Sequence, residues 1–349
     1  MRLAAASLPG AFHAHLTVSN NFGEAVAILI LSSSADPHSK IVSEKIRSAG
    51  GEAHILDSDG DSQFEFSLTL DGHARMLLNR RDIGSVDRVW NRGKIRLELV
   101  ATSEQRDEFL RRSEWSGTYR SIASYFAGCV VNDPVAQTRC EQKSTQQMAA
   151  AQLGFLVPPT PITNSRTAAL EFAEEHKQLI CKSVGRPQLP YNQSLQGPTA
   201  MVTCAVEAQD ISSYAEEKFA VCATFLQARI DKRYEYRVAV VSGRVFAFRL
   251  YSQELPETQT DWRLFCSRVR HEFVNLPSDV EQRLLEFLDA FGLWQGQFDL
   301  IEDPQGQMWF VECNPNGQWL WLDPYVDGAL SDWYAEALLS GDVPNKKAA

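Results

Sequence analysis

Two carboxylates near the carboxyl end of the chain have the types and spacing of a metal site. The sequence predicts short strands at Gln297–Glu302 and Met308–Cys313, with turn-forming residues between them. If the loop comprises Pro304–Gln307, Asp299 on the first strand lies directly opposite Glu312 on the second. The hairpin therefore brings two acidic side chains together.

Asn314 adds an amide oxygen to this pair, because side chains alternate along a strand and Asn314 shares the face of Glu312. Two carboxylates at such close range repel each other unless a cation lies between them. Hard oxygen ligands suit Mg²⁺, which keeps some of its waters and bridges to substrate phosphates. The hairpin thus predicts a magnesium site at Asp299, Glu312 and Asn314. An ordinary hairpin with polar residues on a solvated face stays open as the alternative.

Two lysines that precede the hairpin have positions suited to phosphate binding. Lys143 lies on a predicted helix that ends at Gly154, and Lys182 lies on the predicted strand Leu179–Ser183. A lysine at the end of a strand can reach a phosphate group as a point charge. We interpret the segment that follows, Gly185–Pro198, as a mobile flap because it is rich in Gly, Pro, Gln and Asn. Solvated surface lysines are the alternative.

The charged run Gln227–Arg237 joins two predicted strands. An apolar strand that breaks into an extended link offers backbone N–H and C=O groups to an adenine edge. Glu235, a few residues further on, can accept hydrogen bonds from ribose hydroxyls. A plain charged loop between strands is the competing interpretation.

Arg237 and Arg249 lie on neighbouring predicted strands that a Ser242-Gly243 turn connects. The turn makes them near neighbours across the two strands. Two guanidinium groups at the ends of apolar strands suit bidentate binding of an anion. Surface solvation is the alternative.

Apolar periodicity predicts a small parallel α/β unit at the start of the chain. Ala25–Leu31 is a continuous apolar run, typical of a strand that is buried on both faces. A helix follows from Asp36-Pro37 to Gly50-Gly51, and Ala53–Leu56 forms the next strand.

The remaining pattern mixes strands and helices. Further predicted strands are Phe64–Leu70, Arg88–Arg92, Val221–Leu226, Tyr234–Val241 and Arg244–Leu250. Further predicted helices are Thr102–Phe126 with a Thr102-x-x-Gln105 capping box, Thr138–Leu153, Ser165–His176 capped by Asn164, and Val280–Phe291 capped by Ser278-x-x-Glu281 and stopped by Gly292.

The bulk composition limits the classes of function. The chain has 349 residues, enough for two or three lobes, and its formal charge of −10 argues against a general nucleic-acid binder. The seven cysteines form no C-x-x-C pair, which indicates reduced thiols in a cytoplasmic protein. No run reaches membrane-spanning length, and we interpret Met1–Phe22 as a flexible tail rather than a signal peptide.

The order of these parts resembles the ATP-grasp superfamily, and within it the graspetide (microviridin-type) peptide macrocyclases, from Val26 to Asp332. The superfamily resemblance rests on Lys143 before Gly154-Phe-Leu-Val-Pro, Lys182, Gln227–Ile230, Glu235-Tyr-Arg237, Asp299 and Glu312-x-Asn314-Pro. The macrocyclase resemblance rests on Val89-Trp-Asn-Arg92, Pro158-Pro-Thr-Pro-Ile-Thr-Asn164, Tyr236-Arg-Val-Ala-Val-Val and Arg249-Leu-Tyr-Ser-Gln253.

The resemblance implies an α/β (α+β) ATP-grasp fold with an N-terminal parallel pre-ATP-grasp lobe, a central lobe and a C-terminal lobe with an antiparallel sheet. The implied divisions are a tail at 1–22 and domains at 23–134, 135–218 and 219–342. The implied ligands are ATP and Mg²⁺. The implied roles are ATP phosphate contact by Lys143 and Lys182, an adenine site at Gln227, Ala228 and Ile230, ribose contact by Glu235, Mg²⁺ ligation by Asp299, Glu312 and Asn314, and γ-phosphate or acyl contact by Arg237 and Arg249.

The activity implied is closure of lactone or lactam macrocycles in a ribosomal precursor peptide with a leader and an acidic core. ATP would activate an Asp or Glu side chain of that peptide as an acyl phosphate. Such ligases use positioning and charge neutralisation more than a protein nucleophile, which fits the absence of a Ser-His-Asp or Cys-His pattern. Two alternatives remain: an amino-acid ligase acting on a peptide or protein terminus, and a catalytically silent nucleotide-binding module. The resemblance leaves a homodimer open.

Overall fold

The computed structural model describes residues 25–59, 63–68, 74–83, 86–95, 105–185 and 203–341. Within them lie one parallel sheet, three antiparallel sheets and the helices that pack on them. This mixed α/β architecture confirms the predicted fold class. Among the helices of these ranges, none combines the length and the apolar character needed to cross a membrane.

The parallel sheet contains the buried apolar run at the start of the chain. Its strands, in spatial order, are β2 (Glu52–Asp57), β1 (Ala27–Ser32), β6 (Arg88–Asn91) and β7 (Val130–Val131). Every residue of β1 is buried, as the apolar run predicted. Helix α1 (Pro37–Ser48) starts where predicted, because Asp36 accepts a hydrogen bond from the backbone N–H of Ser39.

A small antiparallel sheet and a long helix cover one face of the parallel sheet. The sheet contains β3 (Phe64–Leu68), β4 (Ala74–Leu78) and β5 (Arg81–Asp82), and the helix is α2 (Gln105–Tyr125). Side chains of β1, β4 and α2 share one apolar core. The predicted capping box at Thr102 lies outside the described residues.

The predicted helix Thr138–Leu153 is two helices. They are α3 (Pro134–Cys140) and α4 (Lys143–Gln152). Asp133 caps α3 by accepting hydrogen bonds from two backbone N–H groups, and Gln142 has an extended backbone (φ −77°, ψ 107°) that interrupts the helical path. Lys143 therefore lies at the first turn of a helix rather than inside one.

The central sheet has the order β10 (Cys204–Val206), β9 (Leu179–Lys182), β11 (Thr224–Ala228) and β8 (Ile162–Thr163). Helices α5 (Arg166–His176), α6 (Ala208–Ser213) and α7 (Glu216–Phe219) accompany it. The predicted cap at Asn164 is wrong: Ser165 accepts the hydrogen bond from Ala168 N, while the Asn164 amide donates to Ala220 O.

The C-terminal sheet has the order β14 (His271–Val274), β13 (Arg244–Leu250), β12 (Tyr234–Val241), β15 (Gln295–Glu302) and β16 (Met308–Asn314), all antiparallel. β12 and β13 have the predicted bounds. Helices α8 (Ser278–Phe291) and α9 (Ala329–Ser340) complete this part, with 3₁₀ turns at Ser252–Glu254, Pro256–Thr258, Trp262–Arg268 and Leu320–Val326.

Helix α8 ends as predicted, with left-handed Gly292 at φ 68° as its C-cap. The predicted cap at its start is wrong, because α8 begins at Ser278 itself. Pro277 precedes it and makes no side-chain capping hydrogen bond.

The two faces of the C-terminal sheet bury different cores. One face packs with α1, α9 and the parallel sheet, and the other packs with α4 and α8. β11 pairs within the central sheet, and α4 packs against β16. We therefore propose that the boundary between the central and C-terminal domains lies after Ala228 rather than between residues 218 and 219. We also propose that residues 135–153 belong to the C-terminal domain.

Candidate active site

The acidic hairpin is formed by β15 and β16. Asp299 pairs with Glu312, as predicted, and Gln297 pairs with Asn314. The pairing near the turn, however, differs from the prediction. Glu302 already pairs with Met308, so the loop is one residue longer than expected, and a shift in register after Asp299 restores the opposition. A β-bulge of this kind re-aims side chains and is common beside active sites.

A cavity of about 310 Å³ lies between the central and C-terminal sheets. Nine of the residues predicted for ligand binding line it: Lys143, Lys182, Gln227, Ala228, Ile230, Glu235, Asp299, Glu312 and Asn314. Lys182 and Gln227 come from the central sheet, and the three oxygen donors come from the hairpin. The fold thus brings side chains that are far apart in sequence to one site.

Cations surround the two carboxylates. Arg237 Nη1 donates to Asp299 Oδ1 at 2.9 Å, and Arg263 Nη1 lies 3.7 Å from Glu312 Oε1. Desolvation raises the pKa of Asp299; Arg237 opposes that shift, and the charge of Glu312 adds to it. Desolvation also acts to raise the pKa of Glu312, but the charges of Lys182, Arg263 and Lys143 outweigh it and lower that pKa.

The donor set fits a magnesium ion. Two carboxylates and one amide supply hard oxygen ligands. Asp299 and Glu312 are directly opposite each other in the hairpin, and Asn314 is two residues from Glu312 on the same strand. Within the described ranges no group of three or more His, Cys, Asp or Glu side chains is placed to hold a metal. Binding here would therefore depend on the Asn314 amide together with water or phosphate oxygens. Asn314 Oδ1 also accepts from Asn316 N at 3.2 Å, which orients its oxygen.

Lys182 is held at the boundary of the two sheets. Its Nζ donates to Gln227 Oε1 at 3.0 Å, and Gln227 Nε2 in turn donates to Thr160 Oγ1 at 2.9 Å. Desolvation lowers the pKa of Lys182, and the negative charge of Glu312 counteracts part of that shift. Lys182 Nζ is therefore fixed at the wall of the cavity.

Glu235 lies at the same cavity, on β12. Its Oε1 accepts from Lys232 Nζ at 2.6 Å, and Lys232 also donates to Thr260 O at 3.1 Å. Desolvation raises the pKa of Glu235, although Lys232 opposes that shift. This lysine was not predicted as a site residue.

The interpretation of Arg237 and Arg249 as a pair is wrong. Arg237 pairs with Phe248 across β12 and β13, whereas Arg249 pairs with Tyr236. Because consecutive side chains point to opposite faces of a sheet, the two guanidinium groups lie on opposite sides. Arg237 contacts Asp299, while Arg249 donates to the Tyr236 hydroxyl at 3.1 Å and lies near Glu272.

Arg263 is a candidate site residue that the sequence did not predict. It lines the cavity from the 3₁₀ turn Trp262–Arg268. Asp261 accepts from its Nε at 2.8 Å and from its Nη2 at 2.7 Å, so the guanidinium is fixed in place. No apolar periodicity marks this turn in the sequence. The opposite charges of Asp261 and Arg263, two residues apart, were the sequence feature that could have indicated it. The predicted flap falls largely outside the described residues, which include only Gly185 of Gly185–Pro198.

Solved structures show the same architecture. One is a RiPP-associated ATP-grasp ligase from Chryseobacterium gregarium, in complex with ADP and a leader and core peptide. It has a TM-score of 0.77 and 24% identity, over 90% of this chain and 96% of that one. The chain has the ATP-grasp fold. The fold predicted from the resemblance is therefore confirmed.

Two macrocyclases from Microcystis aeruginosa MRC share this ATP-grasp fold. MdnC, bound with precursor peptide MdnA, has a TM-score of 0.77 and 24% identity, over 90% of this chain and all (100%) of that one. MdnB has a TM-score of 0.67 and 25% identity, over 90% of this chain and 99% of that one. No protein-family model matches the chain, and no curated protein matches it.

Proposed function

We propose that this ATP-grasp protein is an ATP-dependent ligase that closes lactone or lactam rings in an acidic precursor peptide. The observation that carries the proposal is the convergence of oxygen donors and cations in one cavity. Asp299, Glu312 and Asn314 face that cavity together with Lys143, Lys182 and Arg263. The similarity to peptide-bound ligases and macrocyclases supports a peptide as the substrate.

The proposed roles follow from position. Lys143 and Lys182 would contact the phosphates of ATP, and Glu235 would hold the ribose. The backbone from Gln227 to Ile230 would hold the adenine. Asp299, Glu312 and Asn314 would hold magnesium, which when bound neutralises and orients phosphate oxygens. Arg237 and Arg263 would stabilise charge near the reacting groups, because each contacts or approaches one of the two carboxylates.

The proposed reaction balances in two steps. A peptide carboxylate oxygen forms a bond to the γ-phosphorus of ATP, and ADP leaves. A Ser or Thr hydroxyl, or a Lys amine, of the same peptide then bonds to the acyl carbon; phosphate leaves and the nucleophile's proton is released. The chain's residues position the groups and neutralise charge, and none serves as a covalent nucleophile. We also propose that the reaction takes place in the cytoplasm, since all seven cysteines are free.

The test incubates the protein with ATP, Mg²⁺ and an acidic peptide that contains Asp or Glu together with Ser, Thr or Lys. Mass spectrometry should show the loss of one water for each link, together with release of ADP, and Asp299→Asn should abolish both. A gain in mass by amino-acid units would instead indicate an amino-acid ligase. Nucleotide binding without ADP release, for that peptide and for other acidic peptides, would indicate a silent binding module.

A further inference from the structure

Two cysteines lie directly opposite each other on neighbouring strands of the central sheet. Cys181 on β9 pairs with Cys204 on β10 in an antiparallel register. Directly opposed residues on antiparallel strands have Cα atoms about 4.5 or 5.5 Å apart, depending on the hydrogen-bonding pattern. Both separations fall within the range of about 4.4–6.8 Å that a disulfide spans. The backbone therefore already holds the two residues at a distance that permits a bond.

The Cys204 side chain lies beside the backbone of Cys181. Cys204 Sγ lies 4.0 Å from the carbonyl oxygen of Cys181. Burial raises the pKa of the Cys181 thiol to about 11, and the neighbouring Cys204 thiol adds to that shift. Cys204 is exposed and Cys181 is half-buried, and both are free. A reagent can thus reach Cys204 while Cys181 lies beside it, protonated.

The other cysteines lack this combination. Cys129 is half-buried and lies outside the strands, with its thiol donating to Phe126 O at 3.5 Å. Cys313 has a thiol neighbour in Cys140, but these side chains are only 2% and 0% exposed, so no reagent reaches them. Cys222 and Cys266 are exposed, but both lie outside the strands. Neither therefore has a second thiol opposite it on a neighbouring strand. Accessibility and an opposed partner occur together at Cys181 and Cys204.

We propose that Cys181 and Cys204 form a site of reversible oxidation that a low-molecular-weight disulfide modifies. The Cys204 thiolate attacks one sulfur of the reagent, and the other half leaves as a thiolate. Cys181 then gives up its proton, attacks Cys204 Sγ and expels the second half as a thiolate. Two protein thiols become one disulfide, the reagent is reduced to two thiols, and the two protons pass to the leaving thiolates.

The site borders the candidate nucleotide cavity. Lys182 follows Cys181, Thr203 precedes Cys204, and both line the cavity. Thr203 Oγ1 also accepts from Arg263 Nη2 at 3.2 Å. The disulfide would therefore covalently link β9, which carries Lys182, to β10, which Thr203 precedes. Cys181 itself packs towards the core under α5 and α6, so the sulfur atoms stay out of the cavity.

The test treats the full chain with oxidised glutathione and maps the thiols without reduction. We expect a peptide pair joined through Cys181 and Cys204, lighter by two hydrogens and free of glutathione, that dithiothreitol separates again. Cys222 and Cys266 serve as internal comparisons and should carry glutathione as mixed disulfides. The proposal is overturned if wild-type Cys204 keeps glutathione while Cys181 stays reduced.

Two variants isolate the steps. Cys181→Ser should trap glutathione on Cys204, because no second thiol can displace it. Cys204→Ser should leave Cys181 unmodified under the same treatment. Rapid modification of Cys181 in that variant would contradict the assignment of Cys204 as the attacking thiol. Circular dichroism checks that both variants are folded, and the wild-type map tests the proposal without them.

Discussion

At the scale of single residues, one step of register decides which arginine contacts Asp299: neither Arg237 nor Arg249 lines the cavity, but Arg237 reaches that carboxylate. Sequence spacing made Arg237 and Arg249 near neighbours, but the tight Ser242-Gly243 turn pairs Val241 with Arg244 and so separates the two guanidinium groups onto opposite faces. Arg237 has 7% of its surface exposed and also donates to Gln318 O at 3.1 Å. Arg249 lies over the rings of Tyr234 and Tyr236 instead.

We expect the two arginines to differ when each is replaced by glutamine. Arg237→Gln should lower kcat/KM by about 10²-fold or more, because removing a cationic donor from a desolvated site has an effect of that order. Arg249→Gln should keep kcat/KM close to the wild-type value. Steady-state ADP release measures both, with circular dichroism as the check on folding. Equal losses in the two folded variants would contradict the assignment of faces.

At the scale of elements, α4 holds the hairpin in place through Gln146. Gln146 Nε2 donates to Cys313 O at 2.8 Å, and Cys313 N donates to Gln146 Oε1 at 2.9 Å. Cys313 lies between Glu312 and Asn314, so this buried amide fixes the backbone that carries two of the proposed magnesium ligands. The Gln146 amide thus makes the same two hydrogen bonds to the Cys313 backbone that a neighbouring strand would make.

Gln146→Ala should therefore destabilise the protein and weaken magnesium-dependent binding of nucleotide. It leaves buried backbone groups without partners, which costs about 1–3 kcal/mol of the free energy of unfolding. Urea denaturation measures this loss. Gln152→Ala is the matched control at an exposed end of the same helix, and it should change neither quantity. A Gln146→Ala protein as stable as wild type would contradict the role of this amide.

The sequence predicted elements where local signals were strong and missed those that depend on tertiary contacts. β12 and β13 have the predicted bounds because apolar strands flank a two-residue turn. The bulge at Asp299 could not be predicted, since nothing in the composition of β16 marks the extra residue. The cap of α5 was displaced by one residue because Asn164 and Ser165 are both good capping types. Arg263 was missed because a 3₁₀ turn has no apolar period.

At the scale of the whole molecule, the N-terminal part holds the segment that follows the hairpin. Arg92 Nη1 donates to Asn316 Oδ1 at 2.8 Å, and Asn132 Nδ2 donates to Pro315 O at 2.8 Å. His38 Nε2 accepts from the backbone N–H of Trp319 and of Leu320, each at 3.1 Å. The sequence feature Val89-Trp-Asn-Arg92 thus has a structural role: it connects the parallel sheet to the proposed metal site.

This connection predicts a loss of stability at low pH. His38 must be neutral at Nε2 to accept, and desolvation lowers its pKa below the ordinary value of 6.5; Asp36 opposes the shift, while Arg92 and Lys94 add to it. As the pH falls below 6.5, the unfolded chain binds the proton first, so the folded state loses stability. The loss is about 1.4 kcal/mol per pH unit until the folded pKa is reached.

The measurement compares wild type with His38→Gln by urea denaturation between about pH 8 and pH 5. Glutamine can accept at the same place without titrating, so its free energy of unfolding should fall less steeply with acid. His54 and His271, whose pKa values desolvation also lowers, contribute equally to both proteins. Identical pH slopes would contradict the proposed role of neutral His38.

The central claim is that Asp299, Glu312 and Asn314 hold a magnesium ion that carries a nucleotide, and isothermal titration calorimetry tests it most directly. Wild type should bind ADP at least about tenfold more tightly with Mg²⁺ than with EDTA, a difference of about 1.4 kcal/mol. Asp299→Asn should lose that difference while staying folded, and Asp289→Asn, at an exposed carboxylate on α8, should retain it. Equal affinity of wild type for ADP with and without Mg²⁺ would contradict the account.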